Sequence, residues 1–174
     1  QSASIGYNAL EKSVIAGAIG FALIFILMIA AYRFLGLIAN VALLLYIILV
    51  LWAMAFSGST LTLPGIAGII LGIGMAVDAN VIIFSRIREE MSAGKSVRIS
   101  CESGFHNALS AIMDGQITTL IAGVVLYEVG SATVKGFAVT LMLGVIFSII
   151  SGVLITRLYL ETFIGLKREE PKKS

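Results

Sequence analysis

Charge is the first thing this sequence has little of. Only 13% of its 174 residues are Asp, Glu, Lys or Arg, against about a quarter in a soluble domain. That excludes an ordinary water-soluble fold. Net charge is +2, too small to point to nucleic acid as a partner. The single cysteine, Cys101, excludes an internal disulfide and is too few for a structural metal site. No cofactor is expected beyond the proton, and no metal. No signal-peptide pattern precedes the first apolar stretch. The chain opens on Gln1 and reads as a fragment of a longer protein.

What remains is hydrophobic residues, 59% of the chain, with a mean hydropathy of +1.04. Five apolar stretches predict transmembrane helices over about 13–31, 35–56, 63–84, 105–126 and 137–158. About 20 residues at roughly 1.5 Å each cross a hydrocarbon core of about 30 Å. Barrel-like alternation is absent, and lipid leaves helices as the other way to satisfy the backbone. The expected fold is an all-α bundle of five transmembrane helices over 13–160. An extracytoplasmic segment 1–12, a cytoplasmic loop 85–104 and a cytoplasmic tail 161–174 complete the expected organisation.

Orientation follows from the basic residues. Arg33, Arg86, Arg88, Lys95, Arg98, Arg157, Lys167, Arg168, Lys172 and Lys173 fall on one side, and Lys12 and Lys135 on the other. The positive-inside rule puts the N-terminus of this chain outside and its C-terminus in the cytoplasm. Trp52 and Tyr127 then lie at the outer interface, with Tyr32 and Tyr159 at the inner one.

One acid stands out in the third stretch, LPGIAGIILGIGMAVDAN. Asp near the centre of a membrane helix costs about 2.5–3.5 kcal/mol, so intramembrane acids are functional candidates by default. Asp78 is the candidate proton relay, and Asp114 in the fourth stretch a second. They fall on the order of 7 and 3 Å on the cytoplasmic side of the midplane. Arg157, one residue from the end of the fifth span, is the only Lys or Arg within the five spans, and none lies deep in them. A carboxylic acid keeps its proton when sealed in low dielectric and releases it when wetted, as a relay requires.

Small residues prescribe the packing. Gly65, Gly68, Gly72, Ala76 and Ala79 form one stripe of the third helix, and Ala67, Gly74, Asp78 and Ser85 another. A helix with two small faces fits between two neighbours, so Asp78 is expected to face protein. Ala111, Asp114, Gly115, Thr118 and Ala122 form a stripe on the fourth helix. Thr140, Gly144, Ser148 and Gly152 repeat every four residues on the fifth. Asn80, Gln116, Thr118 and Thr119 are the candidate supporting polar network, acting as interhelical glue. The second helix, mostly bulky aliphatic residues, is expected to face lipid.

The string LTLPGIAGIILGIGMAVDANVIIFSRIREE resembles the fourth transmembrane helix of the SecD family of protein-export membrane proteins. GFHNALSAIMDGQITTLIAGVVLYEVGSATVKGFAVTLMLGVIFSI resembles that family's fifth and sixth helices. ALEKSVIAG and AYRFLGLIANVALLL resemble its second and third. The likeness covers essentially the whole chain. It implies a member of the resistance-nodulation-division superfamily with Asp78 as relay carboxylate. It also implies SecF, the SecYEG channel and a translocating precursor as partners, in the cytoplasmic membrane. The family's first helix and large outer domain lie outside this stretch. Ser85 stands where members often have Glu, and Gln116 where they usually have Asn.

Three other readings stand beside proton-driven export. One is a relative moving lipid or small molecules; another is a structural assembly subunit in which Asp78 is a hydrogen-bonded packing residue. An intramembrane aspartyl protease needs a Gly-x-Gly-Asp run, and here Met-Ala-Val separates Gly74 from Asp78.

Overall fold

Five long helices follow from the five apolar stretches: α1 (Ser2–Tyr32), α2 (Phe34–Phe56), α3 (Leu63–Ser92), α4 (Val97–Val129) and α5 (Ala132–Arg168). The computed structural model describes the backbone of residues 2–56 and 62–168, with side chains described within 6–158. There is no strand among the described residues. Each helix contains a window long and apolar enough to cross a membrane. Most of the predicted outer turn after α2 and the last residues of the tail lie outside the described residues.

The helices outrun the predicted spans. α1 starts at Ser2, so the expected N-terminal segment is helical. Within the loop 85–104 the sequence predicts that the third helix continues to Met91 and breaks at Gly94; α3 runs to Ser92, and only residues 93–96 separate it from α4. Polar residues here extend the helices into water: Arg86 pairs with Glu89 one turn on at 2.8 Å, a spacing that supports a helix. Lys95 pairs with Glu90, whose other oxygen accepts from Asn107 Nδ2 at 3.4 Å. Gly94, at φ +83°, makes the turn that ends α3. At the other end of α3, the Thr62 hydroxyl caps the Gly65 N–H at 3.2 Å, and Pro64 occupies the first turn.

α3 packs against all four other helices, while α1 touches only α2 and α3. The predicted stripe on α3 makes this possible. A side chain at Gly68 would meet Thr140 and the Phe137 carbonyl of α5. One at Gly72 would come within 3.6 Å of the Gly144 Cα. Asn80, only 2% exposed, lies over Gly152. The hydroxyls of α5 spend their protons on their own helix: Thr140 on the Phe137 carbonyl at 2.9 Å and Ser148 on that of Val145 at 2.8 Å. They therefore enter the contact without orphaned donors.

Two expectations about packing change. α2 does not simply face lipid. Ala39, Leu43, Tyr46 and Val50 are buried on one side, while Leu37, Val41, Leu44 and Ile48 are exposed on the other. Tyr46 reaches between α3 and α5, its hydroxyl against both Gly72 and Gly144. Gly74, predicted to pack, has nothing within 4 Å of where a Cβ would stand.

Candidate functional site

Asp78 sits on the face of α3 turned away from α5. Its carboxylate lines a groove between α3 and α4 of about 200 Å³, together with Met75, Ala79, Ile82, Ala111, Ile112, Gly115, Gln116 and Thr119. Asp78, expected to face protein, borders α4 across this groove and is otherwise exposed on this chain. The reason is that α1, α2 and α5 all pack on other sides of α3, and α4 covers only one flank.

The rest of the predicted network divides. Gln116 belongs to the groove and is buried at 7% exposure, with no hydrogen-bond partner for its Oε1 among the described residues. Thr119 also lines the groove, yet its hydroxyl donates to the Gly115 carbonyl at 3.0 Å. The Thr118 hydroxyl donates to the backbone carbonyl of Asp114 at 2.9 Å, leaving that residue's carboxylate without it. Both threonines are thus bonded within α4 rather than between helices, because the i−4 carbonyl is always in reach of a helical Thr. Asp114 is exposed and is not among the groove's lining residues. Asn80 faces α5 and stands apart from Asp78. Gly68, Gly72 and Gly144 serve packing on the closed side of α3.

The stripe predicted on α4 is present but open: Ala111, Asp114, Gly115, Thr118 and Ala122 are all exposed. Together with the half-buried Gly74 and the exposed Asp78 and Ser85 of α3, it makes a small and polar surface that the described residues leave largely uncovered. The packing side of α4 is another stripe, Gly104, Ala108, Ile112 and Gln116. Its four-residue spacing is the signal in the sequence that marks this face. Gly104 is pressed so closely on α3 that a Cβ would lie 2.8 Å from the Ile87 Cα.

The bundle that carries this groove matches a known architecture. Residues 2–164 match the family described as protein export membrane protein SecD/SecF, C-terminal. The chain is 48% identical over 164 residues to the protein translocase subunit SecD of Desulfurispirillum indicum, covering 94% of this chain and 32% of that one. The SecD of Dictyoglomus turgidum is 47% identical over 163 residues, with 94% and 41% covered. In three dimensions the chain resembles SecDF, a translocon-associated membrane protein from Thermus thermophilus. The TM-score is 0.84 at 42% identity, covering 88% of this chain and 21% of that one. The chain therefore spans less than half the length of these relatives. Five apolar helices and this kinship make it a multi-pass membrane protein. From residue 2 to residue 164 it belongs to the SecD/SecF family of protein-export membrane proteins, as a C-terminal membrane region.

Proposed function

We propose that this bundle is the membrane motor region of a Sec export subunit, which uses the proton motive force to promote translocation or release of precursor proteins. Asp78 is its proton relay, and no covalent catalysis is involved. The observation that carries the reading is the lone carboxylate in the α3–α4 groove, in a family of protein-export membrane proteins. One proton crossing the membrane yields roughly 2.3 kcal/mol per 100 mV, enough to bias a conformational equilibrium of a few kcal/mol.

The open surface around Gly74, Asp78 and Asp114 fits a homologous half, SecF, packed against α3 and α4. That half would supply a counter-charge at the depth of Asp78, and SecYEG would take the precursor. Termini follow the basic residues, N-terminus outside and C-terminus in the cytoplasm. Asp114 is a secondary candidate, lying outside the groove.

The test is Asp78→Asn in the full-length protein with its partners. Export stimulated by the proton gradient is expected to be lost, with the gradient-independent part retained. Unchanged stimulation would defeat the relay and favour a structural assembly role. Asp114→Asn, measured alongside, is expected to have the weaker effect.

A further inference from the structure

Three polar atoms are buried without a hydrogen-bond partner among the described residues: Asn40 Oδ1, the Tyr46 hydroxyl and Gln116 Oε1. Such atoms are costly, and more so in a membrane protein, where water is scarce. Asn40 donates one amide proton to the Phe25 carbonyl of α1 at 3.2 Å, and Tyr46 is wedged among glycines. Gln116 differs in its surroundings, because the residue is one of those lining the groove that holds Asp78.

The groove offers Asp78 few polar neighbours. Of the nine lining residues, only Gln116 and Thr119 carry other polar side chains. The Thr119 proton is committed to the Gly115 carbonyl, so that hydroxyl has none left for a carboxylate. Asp78 is the groove's only titratable side chain, and Asp114 is not in the lining. A side-chain amide has one property that no hydroxyl bound in this way retains: it holds an acceptor and two donors on one rotatable group. A neutral carboxylic acid needs an acceptor for its O–H, whereas a carboxylate needs donors.

We infer that Gln116 is the hydrogen-bond partner of Asp78 in both of its protonation states, across the groove directly or through a single water. With Asp78 neutral, its O–H donates to Gln116 Oε1 and satisfies the orphaned atom. With Asp78 ionised, the amide turns over about its last torsion and Nε2–H donates to the carboxylate. The neutral state gives Gln116 Oε1 a donor, and the ionised state gives the carboxylate one. Gln116 is a positioning residue: it holds the acid in place and exchanges no proton itself. This inference rests on Asp78 as the relay.

The experiment uses the full-length protein, with its export partners, in membrane vesicles carrying an imposed proton gradient. Gln116→Met keeps the length of the side chain without hydrogen-bonding groups, and Gln116→Asn keeps the amide. Two quantities are read: the gradient-stimulated part of export, and the infrared carbonyl band of the protonated acid that disappears in Asp78→Asn. Gln116→Met is expected to move that band and to lower gradient-stimulated export about tenfold, the scale of one hydrogen bond to a charged group. Gln116→Asn is expected to keep both near the unmodified protein. Gln116→Leu is a second acceptor-free variant, should the methionine protein fail to accumulate. A band unmoved in the acceptor-free variants overturns the inference, even if export falls, since that pattern belongs to packing. If Asp78→Asn leaves stimulation intact while Gln116→Met still moves the band, the relay fails and the hydrogen bond stands.

Discussion

Gly65, Gly68, Gly72, Ala76 and Ala79 on one face of α3 are pressed against α5, whereas Ala67, Gly74, Asp78 and Ser85 on another are left open or only flanked by α4. The residue types are alike. What differs is the presence of a complementary stripe within the same chain: Thr140, Gly144, Ser148 and Gly152 meet the first face, and nothing described in this chain meets the second. A membrane helix gains nothing by hiding apolar surface from lipid, so close approach of small residues does the binding. The closed face then contributes stability to the bundle, and the open face holds the acid.

The largest expected effect separates the two faces by function. Asp78→Asn should abolish gradient-stimulated export yet change the bundle's stability by no more than about 0.5 kcal/mol, as exposed substitutions do. Unfolding of the purified protein in detergent measures the second quantity. A large destabilisation would mean that the open face is structural after all.

Next comes Gly104→Ala, on the buried side of α4. The added methyl would overlap the Ile87 backbone of α3, which cannot swing aside. A loss of about 1–3 kcal/mol is expected in the same unfolding assay.

Gly72→Ala should destabilise by a similar or smaller amount, because the new Cβ collides with the Tyr46 hydroxyl. Here the clash is with one removable atom. Tyr46→Phe deletes the oxygen, which has no partner among the described residues, and should restore most of the loss. A double-mutant cycle reads that coupling, expected within about 0.5–3 kcal/mol for residues in contact. Zero coupling would show that the α2 wedge does not sit between α3 and α5.

The smallest effect belongs to Gly74→Ala. Nothing stands within 4 Å of the new methyl, so the bundle alone should be unchanged or gain up to about 1 kcal/mol from the better helix former. Loss of stability in the isolated bundle would break the contrast between the faces. Loss of association with a partner, with the bundle intact, would sharpen it.

Legibility varied in a consistent way. Gly68, Gly72 and Gly144 were readable as contacts because both halves of their interface lie in this chain at regular spacing. Gly74 has the same character and misled, since nothing in its neighbourhood in sequence tells whether a partner stripe is present. Thr118 and Thr119 looked like interhelical glue, but a helical hydroxyl finds its own i−4 carbonyl first. Tyr46 passed unnoticed in a run of Leu and Ile, because its role is set by two glycines some 26 and 98 positions further on.

Hydropathy and charge alone determined that five helices form and that an acid lies among them. Span length, backbone satisfaction and the cost of a buried charge are local and additive along the chain. Which side of α3 is sealed, which buried amide lacks a partner, and which acid lines a groove were decided by tertiary structure. Those depend on how helices distant in sequence rotate about their axes to match small residues against one another, a choice no single segment contains.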